Sequence, residues 1–180
     1  LLEHGIESDV VLVGKRERCT FQCEKQLEIL EKYGKQIFAE IPEQKRYTTI
    51  IDAIFGISLN RNLDGVYRKA VEEMNDLRRM LLLAPKVLSL DMPSGIHGGT
   101  GKVMGTAVTA DVTISFAYKK LGQMLYPGAS SCGRLYCANI GITDRSFLGN
   151  LPLIRMYEDQ EIRFPERRAD GNKGTFAKYY

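Results

Sequence analysis

Six short runs rich in apolar and β-branched residues, at 9–13, 36–41, 48–55, 86–90, 112–116 and 134–140, punctuate the chain. Several are apolar at successive positions and not only at alternate ones, as strands of a parallel sheet buried on both faces are. The segments between them carry a helical period. Over 21–33, Leu27, Ile29 and Leu30 lie on or near one stripe, and over 66–83 the residues Tyr67, Ala70, Val71, Met74, Leu77 and Leu81 recur at spacings of three and four. Gly34 is placed to close the first helix, and Ala84-Pro85 to end the second. Strands alternating with helices build βαβ units, which predicts an α/β domain with a mostly parallel sheet. Leu1 to Gly5 reads as the last turn of a helix closed by Gly5, so the strand and loop expected ahead of it stand outside the chain. In a doubly wound sheet that first strand-to-helix loop is the usual phosphate cradle.

Two of the predicted strands end in chemistry. The run Val87-Leu88-Ser89-Leu90 leads straight into Asp91-Met92-Pro93-Ser94-Gly95. Pro93 disfavours helix at Met92 and Gly95 is free to take positive φ, so the chain leaves the strand in a tight turn presenting Asp91 and Ser94 together. Similarly, 47–55 stops at Gly56 before the polar stretch holding Asn60, Arg61, Asn62 and Asp64. Ligands of open α/β sheets bind at this edge. Asp52, flanked by Ile51 and Ile54, is expected to be partly buried, where a lone charge is costly. Either backbone amides of the next loop satisfy it, or it joins the Ser94 hydroxyl as a ligand of a hard alkali or alkaline-earth ion. Asp91 is the candidate for acid or base work, against a simple turn-capping role. His97 is assigned no role. Lys119 and Lys120 follow the strand ending at Phe116, placed either to meet a phosphate or to be solvated, and Tyr126-Pro127-Gly128 reads as a turn.

Bulk composition narrows the setting. With 180 residues, 44% of them hydrophobic, there is one main domain with room for a filled core. The net charge of +3, from 25 basic and 22 acidic residues, forms no basic stripe, so nucleic acid is not an expected partner. Arg163, Arg167, Arg168, Lys173 and Lys178 concentrate near the C-terminus and read as a linker or tail. Three residues separate Cys19 from Cys23, and four separate Cys132 from Cys137. Neither spacing matches zinc knuckles or redox motifs, which predicts reduced, mostly buried thiols. No run approaches the roughly 18 apolar residues of a membrane span, and a cytoplasmic setting is expected.

Taken in order, Ile51-Asp52-Ala53-Ile54-Phe55-Gly56, Leu59-Asn60-Arg61, Leu90-Asp91-Met92-Pro93-Ser94-Gly95 with Thr100-Gly101 and Val103, Phe116 with Lys120 and Gly122, Tyr126-Pro127-Gly128-Ala129 and Asn139-Ile140-Gly141-Ile142 resemble the YjeF N-terminal family, the NAD(P)H-hydrate epimerases. The resemblance implies a Rossmann-like three-layer α/β/α sandwich, truncated here at its N-terminus and often dimeric. It also implies a reaction, the interconversion of the R and S epimers of NADHX and NADPHX at C6 of the hydrated nicotinamide ring, with K+ in the site. Carried over by position, it assigns Asp52 and Ser94 to potassium, and Gly56, Ile57, Ser58, Leu59, Asn60, Arg61, Asn62 and Asp91 to the substrate. Arg61 would pair with a phosphate, and Asp91 would protonate or deprotonate the C6 hydroxyl or a water as the ring carbon passes through an iminium-like state.

Three departures stand out. Gly56-Ile57-Ser58 replaces the family's Gly-Thr-Gly, His97-Gly98-Gly99 replaces a more polar stretch, and the Asn-Asn-Gly-Gly-Asp motif is expected before residue 1. Arg168-Ala169-Asp170-Gly171-Asn172-Lys173-Gly174-Thr175-Phe176 is similar to the opening of the ADP-dependent NAD(P)H-hydrate dehydratase domain. The expected organisation is therefore an epimerase domain over 1–148, followed by linker and the start of a dehydratase domain over 149–180. The competing class is a non-catalytic binding scaffold on the same fold.

Overall fold

Strands β1 (Val10–Val11) and β2 (Ile37–Phe38) pair in parallel across helix α1 (Phe21–Lys32). A second sheet, also parallel throughout, runs in the order β3 (Thr49–Asp52), β4 (Lys86–Leu90), β5 (Val112–Phe116), β6 (Arg134–Ala138). Helix α2 (Gly65–Arg78) crosses from β3 to β4, and the short α3 (Leu121–Met124) and α4 (Gly128–Ser131) lie between β5 and β6. This computed structural model describes residues 1–42, 45–80, 82–150 and 152–156. The chain divides into two units, 1–141 and 142–180, and the second contains a 3₁₀ turn at Asp144–Phe147. At the start of the chain, a 3₁₀ turn over Leu2–His4 is closed by Gly5 in the left-handed region, the terminating role expected for it.

Helix α1 begins where Thr20 accepts a hydrogen bond from the Cys23 N–H, a standard N-cap. Leu27 is its buried anchor, while Ile29 is exposed. Residues two apart on a helix point in nearly opposite directions, so the expected stripe narrows to Leu27 and Leu30. Helix α2 ends at Arg78, earlier than the 66–83 pattern predicts, and Leu82 and Leu83 beyond it are exposed. Leu81 lies outside the described residues. The buried Asn75 on α2 spans a loop: its amide donates to Ala107 O and its carbonyl accepts from Thr109 N.

The core gathers Val71 and Met74 of α2 with Leu59, Leu63, Val87, Val108 and Ala110. Along the four-stranded sheet, Asp52, Val87, Ser89, Thr113 and Ser115 are buried, whereas their alternate neighbours Ile51, Leu88, Leu90, Val112, Ile114, Phe116 and Tyr136 are half-buried or exposed. Burial on both faces was expected; among the described residues it is deep on one face of β4 and β5 and at Asp52, and lapses at the β6 edge, where Leu135 is half-buried and Cys137 exposed. Strand residues alternate in direction, and the packing of α2 serves the Val87 side. All four cysteines are free, but only Cys132 is buried, which pushes its thiol up to about 11. Cys19 and Cys23 are half-buried and Cys137 is exposed, so the expectation of mostly buried thiols holds for one of them.

Asp111 ties α2 to the sheet. Its carboxylate accepts from Val87 N at 2.8 Å and from Arg78 at 3.0 Å. Partial burial pushes its pKa up, but these bonds outweigh that and hold it below the ordinary value. A depressed carboxylate adds stability above its unfolded pKa of about 3.9, lost as pH falls through the folded value. Urea midpoints of Asp111→Asn should thus fall less steeply than wild type between about pH 5 and pH 2; parallel curves would show that this carboxylate is not coupled to folding.

Candidate active site

At the carboxyl ends of β3 and β4 the two loops are fastened to each other through Asp52. Its side chain is only 1% exposed, deeper than the partial burial expected. Oδ2 accepts from Ser89 Oγ and Ser94 N, each at 2.8 Å, and Oδ1 accepts from Ser94 Oγ at 2.5 Å and Ile54 N at 3.3 Å. Ser94 Oγ in turn accepts from Phe55 N at 2.9 Å. The amide satisfaction expected from sequence is supplied mainly by the Pro93-Ser94-Gly95 turn and only weakly by the next loop. Burial raises the Asp52 pKa against the lowering effect of these bonds, because the low-dielectric interior disfavours the charged form.

Every partner of Asp52 is a hydroxyl or an amide, none of them cationic. The donor set open to a metal is therefore all oxygen with a single negative charge, which suits a hard monovalent cation and not zinc. Ser94 Oγ spends its proton on Asp52 and one lone pair on Phe55 N, leaving a second lone pair for a ligand. Asp52 already accepts four hydrogen bonds, so the pair matches a hard monovalent cation in charge and donor type, with Ser94 Oγ as the oxygen that has a lone pair to give.

Asp91 stands next to this cluster in a different electrostatic setting. It takes φ 66°, the left-handed region, as β4 ends. Ala117 does the same as β5 ends, with φ 61°. Non-glycine residues held there are uncommon and gather at functional sites. The Asp91 N–H donates to Ile114 O, and its own carbonyl accepts from Gln123 Nε2. Its carboxylate meets Lys120 Nζ through Oδ1 at 2.5 Å, with both side chains 18% exposed. Oδ2 faces Gly56, where an added Cβ would lie 2.8 Å away. Only glycine allows that approach, so the carboxylate stands directly over the loop predicted to hold substrate.

That loop divides by burial. Ile57, Ser58, Asn60, Arg61 and Asn62 are exposed and Gly56 is intermediate, but Leu59 is 6% exposed and sits in the core. Leu59 thus anchors the loop to the core. Lys120 is neither solvated nor free for a phosphate, as its alternatives had it; the ion pair with Asp91 claims it. Lys119 is exposed. His97 Nδ1 engages the Thr100 hydroxyl and the Gly99 N–H within its own loop, and Tyr126 is 80% exposed, outside the core.

Residues 1–122 match the model of the YjeF-related protein N-terminus, and the chain belongs to that family. Among relatives, it is 35% identical to a bifunctional NAD(P)H-hydrate repair enzyme of Thermofilum pendens, over 97% of this chain and 33% of that protein. It is 36% identical to an NAD(P)H-hydrate epimerase of Levilactobacillus brevis, over 77% of this chain and 61% of the relative. The epimerase of Oenococcus oeni aligns at 35% identity, over 74% and 60% respectively. The chain thus spans about a third of the bifunctional relative and some three fifths of these epimerases. The crystal structure of the yeast protein YNL200c has the same fold, with a TM-score of 0.60 at 20% identity, over 84% of this chain and 63% of that one. No helix among the described residues is long and apolar enough to cross a membrane.

Proposed function

We propose that the protein carrying this chain is an NAD(P)H-hydrate epimerase, interconverting the R and S forms of NADHX and NADPHX. One observation carries the reading: a carboxylate in a strained backbone position, Asp91, is held over Gly56 beside the buried Asp52–Ser94 pair. Inverting a carbon that bears a hydroxyl next to a ring nitrogen needs little else. The C6–O bond breaks as the departing hydroxyl gains a proton and leaves as water, and the nitrogen lone pair forms an iminium. Water then adds to the opposite face. Asp91 serves the hydroxyl on its own face, protonating it as it departs and, in the reverse direction, accepting the proton of the water that adds there, while the water on the opposite face exchanges its proton with solvent, so atoms and charge balance over the cycle. Asp52 and Ser94 would hold K+, which supplies fixed positive charge near the anionic dinucleotide. Gly56, Ile57, Ser58, Asn60, Arg61 and Asn62 line the substrate, with Leu59 bracing them, and the exposed Arg61 is suited to a phosphate.

The alignment with the bifunctional repair enzyme over nearly the whole chain supports reading 149–180 as linker and the opening of a dehydratase domain. The residues similar to that opening, 168–176, lie outside the described residues. A homodimer in the cytoplasm completes the proposal.

The test is direct. A single purified epimer of NADHX, incubated with the full-length protein, is expected to relax to the R/S mixture faster in potassium than in sodium buffer. Absence of conversion in both buffers would favour the scaffold reading. Equal rates in both would remove K+ from the site.

A further inference from the structure

We infer that Lys120 is the positioning residue for Asp91, fixing the carboxylate so that one oxygen is spent on the protein and the other is offered to the reacting hydroxyl or water. The inference rests on the epimerase reading above and adds a residue to that site.

The geometry is specific to a compact ammonium group. Lys120 Nζ donates to Asp91 Oδ1 at 2.5 Å, to Phe116 O at 2.8 Å and to Ser115 Oγ at 3.1 Å. These are three acceptors for three N–H bonds. Ser115 is oriented to accept because its own proton goes to Tyr118 O at 2.7 Å, and its side chain is fully buried. The ammonium is therefore pinned to the end of β5 from two sides, and Asp91 is its third contact. Backbone bonds register the same two residues: Gln123, 3% exposed, donates from Nε2 to Asp91 O at 2.6 Å and accepts from Lys120 N at 2.7 Å. With Oδ1 claimed by Lys120, Oδ2 is the oxygen directed at Gly56. A carboxylate free to rotate would present either oxygen over a range of directions, and small errors of placement weaken catalysis strongly.

Full-length protein and a single epimer of NADHX provide the test, with Lys120→Met, Lys120→Arg and Asp91→Asn assayed in parallel and each checked for folding by thermal melt. Lys120→Met is expected to lower kcat by about 10- to 100-fold with KM changed by less than about twofold. Lys120→Arg, which keeps the charge but not the compact three-way geometry, should recover part of that loss. Unchanged kcat in Lys120→Met, a loss confined to KM, or an arginine variant no better than methionine would overturn the assignment. Should Lys120→Met not fold, Lys120→Gln takes its place under the same criteria, and failure of both to fold would make the lysine purely structural and overturn it too. Asp91→Asn separates the two levels: full activity there sinks the epimerase site itself, whereas an inactive Asp91→Asn beside an active Lys120→Met removes only the role given to Lys120.

Discussion

Asp91→Asn is expected to slow epimerisation by about 10²- to 10⁴-fold, the span that a positioned acid–base group contributes, while leaving the fold in place. Asparagine tolerates the left-handed backbone that residue 91 adopts as readily as aspartate does. It is isosteric, and its carbonyl oxygen can still accept from Lys120. What disappears is the proton acceptor facing Gly56. The measurement is the approach to epimer equilibrium from one pure isomer, at matched protein concentration and with circular dichroism to confirm folding. An enzyme that turns over at the wild-type rate with asparagine at 91 would show that the proton moves through another group.

The second large effect falls on stability. Gly95→Ala should destabilise the protein by roughly 4 kcal/mol or more, at the extreme of single-site effects. Gly95 holds φ 102°, and an added Cβ would lie 2.0 Å from Thr106 O and 2.6 Å from Ala107 Cα. Those atoms belong to backbone that is already engaged: Met104 N donates to Gly95 O and Val108 N to Ser94 O. Nothing flexible is available to yield, so the return loop must peel from the turn. Ser94 would move with it, loosening two of the bonds that satisfy Asp52 at 2.8 Å and 2.5 Å. Chemical denaturation read by fluorescence or circular dichroism decides this, and an unaltered midpoint would mean that the turn has more room than the structure gives it.

The placement of the candidate residues at the strand ends was legible in the chain because residue type and strand position coincide there. A carboxylate that follows an apolar run and precedes Pro and Gly has few conformations open to it, and Asp91 and Ser94 do lie in the turn after β4, as Asp52 lies at the end of β3. Burial was harder to judge. Leu59 lies in a polar stretch, and nothing local marks it as the residue that turns inward to join Val71 and Val87. Lys120 was ambiguous for a related reason: its partner lies 29 positions away in sequence, and only the pairing of β4 with β5 brings them together. The end of α2 was misjudged because Leu77, Leu82 and Leu83 continue an apolar count that the backbone abandons at Arg78. Apolar content predicts a buried helix face only where something packs against it.

The uneven sides of the β3–β6 sheet bear on handling the protein. Ile51, Leu88, Leu90, Ile114, Phe116 and Tyr136 form an oily plane of which Ile51, Phe116 and Tyr136 are the most wetted, at 41%, 37% and 50% exposure. Such a plane is adhesive in water, and among the described residues β3 is the terminal strand of the ladder, an edge of the kind that invites further strand addition. Concentrated samples of residues 1–141 alone should therefore self-associate through this plane, and a lysine in place of Ile51 is the simplest change to keep them dispersed.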